Sequence, residues 1–361
     1  MSWTQLAVIP VLSVLLLVHE LGHFIIARLA GVRVEEFGFG LPPRLAGFRR
    51  GEVLYSINLI PLGAFVKMTG EDGDGTDERS FVRKGKLPRA AVLVAGPAMN
   101  FLAAGLLFVA AYMAGWPTPT SMDVFVYRIS PGSPAAAAGL QVGDQIVALG
   151  GQALATADQF VTTTRSNLGK PVQVTLERNG TRIETTMTPR TSWPEGDGPL
   201  GIGLQGKNVR VTPIYYPFFD SLGMGFSRAW QMVTFTLSVP VMILQGALPA
   251  DLARPIGPVG IYQVTTDAAD VAADSGWWFP LISITATISA GLAVANMLPF
   301  PALDGGRLLL IAVEAVRGRR LAPEREGALH FVGLMVLIAL MVVVSYYDVS
   351  SPLPHIEWGP R

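Results

Sequence analysis

Residues 15–26 read Leu15-Leu16-Leu17-Val18-His19-Glu20-Leu21-Gly22-His23-Phe24-Ile25-Ile26, and this stretch decides the fold. Residues four apart on a helix project from one face. His19 and His23 therefore present two imidazoles to a common point, with Glu20 beside them. The chain before them is apolar, since residues 1–18 hold no Asp, Glu, Lys or Arg. Ionisable side chains at membrane depth are costly and mark functional sites. The spacing is the one in which two histidines hold zinc and the glutamate acts as base towards metal-activated water. A signal peptide could start similarly, but no basic n-region precedes the apolar run and no small-residue cleavage site follows Val18. The segment reads as a retained helix.

Working outward, half of the 361 residues are hydrophobic and 15% are charged. Soluble domains carry about 25% charged residues, so an all-soluble enzyme is excluded. The 27 basic and 27 acidic residues balance, which leaves no positive field for nucleic acid. With no cysteine, disulfides, thiolate metal sites and cysteine nucleophiles are excluded as well.

A bilayer core about 30 Å thick needs about 20 apolar helical residues. Five stretches free of Asp, Glu, Lys and Arg qualify for the test: 1–18, 90–122, 229–250, 275–303 and 327–347. The stretch 229–250 contains Pro240 and several Ser, Thr and Gln residues, and reads as interfacial or re-entrant. Eleven Lys or Arg residues lie between positions 28 and 89, and Arg307, Arg317, Arg319, Arg320 and Arg325 follow the third strong span. Both segments are expected on the cytoplasmic face, which four crossings allow and five do not. Trp3, Trp116, Trp277, Trp278, Tyr346 and Tyr347 mark the opposite helix ends. Four spans follow, with both termini outside.

Residues 53–60 alternate with a strand period of two, and Pro61-Leu62-Gly63 supplies a turn before residues 64–68. With a further strand candidate at 32–39, this predicts a small sheet at the membrane surface. The acidic, glycine-rich 71–75 segment reads as a solvated turn rather than a calcium loop, because Asp72, Asp74 and Gly75 are too irregular for an EF-hand. From about 118 to 205 the pattern is mostly β, with Asn179-Gly180 as a hairpin signal. The run Ser133-Pro134-Ala135 through Gly139-Leu140 and Gly143-Asp144-Gln145-Ile146 resembles a PDZ domain of the bacterial protease-associated type. Such domains capture extended peptides or chain ends by strand addition, although an inert spacer would carry the same pattern.

The predicted fold is an α-helical polytopic membrane protein with about four transmembrane helices, a membrane-surface β-hairpin or sheet, and one inserted extracytoplasmic PDZ-like α+β domain. Its parts are a first span with the histidine pair (1–29), a cytoplasmic-side β region and loop (30–91), a second span (92–116) and the PDZ-like domain (117–206). An amphipathic helical region (207–274), a third span (275–306), a cytoplasmic loop (307–327), a fourth span (328–347) and an outer tail (348–361) complete the layout.

A catalytic zinc site keeps three protein ligands and one open position. His330 lies alone in the fourth span and His355 in the outer tail, so neither suits the third place. Asp304 suits it better. It ends the charge-free run 275–303, follows helix-breaking prolines that can present a carboxylate to a cavity, and falls on the same face as His23. Its bland alternative is a helix C-terminal turn capped by Gly305-Gly306.

Taken together, these motifs resemble those of bacterial site-2 proteases, of the group typified by the regulator of sigma-E protease. His-Glu-Leu-Gly-His matches the zinc motif, and residues 296–305 match Asn-x-x-Pro-x-Pro-x-Leu-Asp-Gly. Gly96-Pro97-Ala98-Met99-Asn100 and Gly257-Pro258-Val259-Gly260 match two further elements. The resemblance implies zinc held by His19, His23 and Asp304, with Glu20 as general base. It also implies a substrate strand paired with the Val53–Met68 hairpin, where Asn58 and Gly63 lie, and substrate contacts from Asn296, Pro299 and Pro301. Asn100 is assigned either to substrate and oxyanion or to helix packing. The group often carries two PDZ domains, whereas the space here fits one.

The implied activity is zinc-dependent cleavage of transmembrane segments in single-pass membrane proteins. Such substrates include anti-sigma factors after a first cut and signal-peptide remnants, in a bacterial cytoplasmic (inner) membrane with the active site near the cytoplasmic side. An inactive scaffold is disfavoured by the intact Glu20 and three ligand positions. A divalent-metal transporter would show paired repeats or several polar sites along a path, and only one polar cluster is found.

Overall fold

A computed structural model describes residues 2–71, 77–194, 196–249, 254–354, 356 and 358. Asp72, Asp74, Gly75 and His355 lie outside the described residues. In chain order the elements begin with α1 (Val8–Leu29), β1 (Val34–Arg50), β2 (Val53–Met68) and α2 (Lys86–Met113). Then come β3 (Trp116–Ile129), α3 (Pro134–Ala137), β4 (Gln145–Leu149), β5 (Gln152–Ala153), α4 (Ala157–Ser166), β6 (Val172–Arg178), β7 (Thr181–Met187) and β8 (Ile202–Ile214). Five helices close the chain: α5 (Phe218–Leu244), α6 (Pro258–Ser275), α7 (Phe279–Met297), α8 (Asp304–Arg317) and α9 (Pro323–Ser350). The chain divides into two units, with residues 116–214 forming the second.

In the first unit, four helical stretches are long and apolar enough to cross a membrane: Trp3–Leu29, Lys86–Met113, Phe279–Met297 and Glu324–Ser350. Of the ambiguous 229–250 stretch, residues 229–244 belong to the single helix α5, which carries Pro240 inside it and is not among those four. α5 packs on α2 through paired glycines. A Cβ on Gly105 would lie 2.5 Å from the ring of Phe226, and one on Gly225 would lie 2.6 Å from the backbone nitrogen of Val109. Small residues of this kind permit close approach where lipid offers no hydrophobic drive between helices. At one end of the unit the rings of Trp3 and Trp278 lie 6.5 Å apart, and the indole N–H of Trp277 donates to the carbonyl of Gly115 at 2.9 Å.

The strand expected at 32–39 continues to Arg50. β1 and β2 pair antiparallel with a bulged register, and Phe37 stands opposite both Val66 and Tyr55. Each long strand bends, so the hairpin doubles on itself into a small sheet. One end packs Val34, Val53, Val66 and Met68 against Ala27 of α1, Val92 of α2 and Ile311 of α8. The far end is apolar yet exposed, with Leu45, Ile57, Leu59 and Ile60 uncovered. It runs beside α1, where the Ser13 hydroxyl donates to the carbonyl of Pro61.

Two boundaries read from sequence are corrected. The third span does not run unbroken through 275–306: α6 ends at Ser275, α7 ends at Met297, and Pro299 and Pro301 separate it from α8. Asp304 therefore opens a helix, where a carboxylate suits the positive end of the dipole, rather than closing one. Residues 307–317 are also not loop but the body of α8.

The second unit is a β-sheet in the order β7-β6-β4-β3-β8, with β5 beside β4. Residues 207–214, read as helical territory, belong to β8, which pairs with β3 along its length. The core gathers Val126, Ile146, Leu149, Phe160, Val174 and Leu176. Asn179 and Gly180 form the expected β6–β7 turn with φ of 50° and 77°, as a two-residue hairpin loop requires. Asp144 is buried and gripped by Arg178, whose Nε and Nη2 donate at 2.7 and 2.8 Å. Burial alone would raise that carboxyl, but the guanidinium outweighs it and holds the pKa below the ordinary range.

Candidate metal centre

Helix α1 buries Leu15, His19, Gly22, His23 and Ala27, so the four-residue spacing does place both imidazoles on its inward face. Their Nε2 atoms lie 3.1 Å apart. The first turn of α8 brings Oδ2 of Asp304 to 3.1 Å from His19 Nε2 and 3.3 Å from His23 Nε2. Among the described residues, this is the group of three His or acidic side chains able to hold one ion.

Three features suit the group to zinc. Zinc–ligand distances of about 2.0–2.2 Å in a tetrahedron place neighbouring ligand atoms ~3.3 Å apart, close to the edges of this triangle. Asp304 Oδ2 is buried and makes no hydrogen bond despite its two imidazole neighbours, so it offers lone pairs to a cation. The ring of His23 is also set for ligation. Its Nδ1–H donates to the carbonyl of Val92 at 2.7 Å, which leaves the Nε2 lone pair facing the centre of the triangle.

Space for this arrangement comes from glycines at the α1–α2 crossing. A Cβ on Gly22 would collide with the carbonyl of Ala95. One on Gly96 would collide with Nε2 of His23 and lie 2.7 Å from Cε1 of His19. Gly96 thus leaves open the room the imidazoles occupy. Glu20 turns towards β2, where its Oε2 accepts a hydrogen bond from the N–H of Val66 at 3.2 Å.

A cavity of about 500 Å³ opens beside the triangle, walled by Glu20, Val66, Asn296, Asp304, Phe331 and Leu334 among others. The structure thus gathers His19, His23, Glu20 and Asp304, with Asn296 on the wall. Asn100 stands behind the site instead, its amide nitrogen 3.2 Å from Nδ1 of His19. Asn58 is buried within the sheet and donates to the carbonyl of Gly40. Asn58, Gly63, Pro299 and Pro301 do not line the cavity. Sequence reasoning gave Gly22 no role and weighed His330 only as a ligand, whereas its Nδ1 accepts from the N–H of Ala302 at 3.0 Å. A histidine in an otherwise uncharged span was the available signal for the latter.

The sequence profile of peptidase family M50 matches residues 7–340. The chain belongs to this family, that of the site-2 proteases. A curated relative from Clostridium acetobutylicum, provisionally named a zinc metalloprotease, is 35% identical over 343 residues, 94% of this chain and 96% of its own. The zinc metalloprotease RasP of Oceanobacillus iheyensis is 30% identical over an alignment that spans 96% of this chain and 99% of the relative. The structure of a PDZ domain from an SdrC-like protein of Listeria monocytogenes covers 24% of this chain and 92% of its own, with 23% identity and a TM-score of 0.22. This site-2 protease is accordingly a zinc metalloprotease. Its apolar helices and its relatives make it a bacterial membrane protein.

Proposed function

We propose that this site-2 protease cuts peptide bonds within transmembrane segments of single-pass membrane proteins, holding zinc through His19, His23 and Asp304 and using Glu20 as general base. The observation that carries the reading is the triangle of ligand atoms with 3.1–3.3 Å edges, set in an apolar helical unit beside Glu20.

When bound, zinc supplies Lewis acidity that acidifies water and polarises a carbonyl. Glu20 accepts the proton of the attacking water and returns it to the leaving amine. The hydrogen bond from Val66 orients that carboxylate. A transmembrane helix hides its amides in its own hydrogen bonds, so a substrate must unwind before attack. The C-terminal half of β2, whose Val66 N–H points out of the sheet towards Glu20, is an edge suited to holding the unwound stretch extended. The exposed apolar far end of the β1–β2 sheet favours immersion of this region in lipid. Asn296, on the cavity wall, is the substrate contact this geometry favours. Asn100 acts on His19 instead: its buried Oδ1 lacks a partner, and rotating the amide gives His19 Nδ1–H an acceptor.

The basic segments around Arg28 and Arg307 favour the cytoplasmic side for the triangle, and the same reading of the sequence assigns residues 116–214 to the outer side. That β module is read as PDZ-like, taking peptides or chain ends of substrates already trimmed by a first protease. Anti-sigma factors and signal-peptide remnants are the substrate classes to test.

The test combines zinc analysis of the purified protein with cleavage of a tethered transmembrane substrate. Glu20→Gln should retain zinc and lose about 10²- to 10⁴-fold in cleavage rate. Undiminished cleavage by this variant would remove the general-base role, and active protein without zinc would remove the metal assignment.

A further inference from the structure

Helix α9 holds the rest of the protein at few places. Among its described residues only Gly333 and Asp348 are buried. Gly333 sits against the turn between α7 and α8, where a Cβ would collide with the carbonyl of Pro301 and lie 2.5 Å from its Cβ. His330, three residues earlier on the same helix face, accepts the N–H of Ala302 on Nδ1 at 3.0 Å. That assignment leaves the proton on Nε2, 4.0 Å from Oε1 of Glu326.

Ala302 is an unusual residue to be held this way. Its φ is +77°, the left-handed region where a Cβ crowds the backbone and which glycine occupies freely. Such a conformation persists only when the surroundings over-determine it. The turn immediately downstream is rigid. Cβ atoms on Gly305 and Gly306 would collide with the carbonyls of Leu298 and Phe300 respectively, and Leu303 N–H donates to Phe300 at 3.1 Å. A change in the backbone at Ala302 therefore has little slack in which to dissipate before it reaches Asp304, two residues on.

We propose that His330 is a positioning residue: by bonding Ala302 in its left-handed conformation, it sets the Asp304 carboxylate at the ligand triangle. His330 takes no part as a ligand. The role rests on the assignment of Asp304 to zinc, and the geometry of Asp304 is what it controls. Outer partners of metal ligands tune affinity through such orientation.

The experiment measures zinc affinity of the full-length protein in detergent by chelator competition, with thermal unfolding as a folding control. His330→Ala should weaken zinc by about tenfold or more. His330→Asn, whose Oδ1 falls near the place of Nδ1, should return affinity to within about threefold of wild type on the same scale. Ala302→Gly in the His330→Ala background should recover most of the loss, because glycine needs no help at positive φ. Wild-type affinity in His330→Ala overturns the proposal. So does a loss that neither His330→Asn nor Ala302→Gly relieves, since that is a general packing defect. Failure of the underlying metal reading looks different: wild type and Asp304→Ala would then bind zinc equally, or not at all.

Discussion

Helices α2 and α9 are each 28 residues long and both apolar enough to cross a membrane, yet they live in different surroundings. α2 buries twelve residues, among them Gly96, Asn100, Ala104, Gly105 and Phe108. Among its described residues α9 buries two, Gly333 and Asp348, and shows Val332, Leu340, Met341 and Val343 uncovered. The helix with the more apolar central stretch is the less buried. Lipid is as apolar as leucine, so hydrophobicity draws a helix into the bilayer but not onto its neighbours. Packing instead follows residues that let backbones approach or that need a polar partner. α2 has them at intervals along its length: Gly96 against α1, Gly105 against α5, and the carbonyl of Asn100 taking the hydroxyl of Ser289 from α7. α9 has them at two places.

The hardest test of that contrast is Gly96→Val. The added carbon atoms fall where the imidazoles of His19 and His23 stand, between two helices that have no room to part. Zinc content of the purified protein and substrate cleavage should both fall, by about 100-fold or more. Near-normal zinc in this variant would show that α2 can withdraw from α1, and the tight half of the comparison would fail.

The same contrast explains what could be read in advance. The pair His19 and His23 was legible because helical period alone puts residues four apart on one face. Asp304 was legible because a charge-free run ends there and the prolines before it must break a helix. The N-terminal start of α8 at Asp304 was not legible as such. The cluster of arginines from Arg307 to Arg320 reads as loop, while Leu308 and Ile311 give it an apolar face that matters only against Val92 and the sheet. Asn58 was assigned to substrate by resemblance, and the structure spends its amide on Gly40. The role of Gly96 depends on which side chains cross opposite it, and no local pattern states that. His330 was weighed only as a ligand. What it serves is an amide made needy by a positive φ, a backbone property invisible in residue type.

At the two places where α9 is held, polar substitutions should matter. Asp348 is fully buried and its Oδ2 accepts the N–H of Gly260 at 2.8 Å, in the first turn of α6. Close by, Arg254 donates to the carbonyl of Tyr347. Gly257 and Gly260 are bare because a Cβ on either would press on this carboxylate, which gives the Gly-Pro-Val-Gly element a packing reason. Asp348→Ala strands the amide of Gly260 and should cost about 1–3 kcal/mol in reversible unfolding in mixed micelles. Asp348→Asn keeps an acceptor oxygen and loses only charge at a helix start, about 0.3–1 kcal/mol. Equal losses from the two variants would mean that the carboxylate's charge, not its hydrogen bond, holds α9 to α6.

The smallest effect belongs to the uncovered face. Leu340 is 52% exposed, so truncating it opens no cavity in the protein. In water such a change would also alter the transfer of apolar surface, but in a bilayer the side chain faces lipid in the folded helix and in the inserted helix alike. Leu340→Ala should therefore change unfolding free energy by less than about 0.5 kcal/mol and leave zinc affinity unchanged. A loss as large as that of Asp348→Ala would mean that something covers this face in the bilayer, and α9 would then be a packed helix like α2 rather than one held at two points.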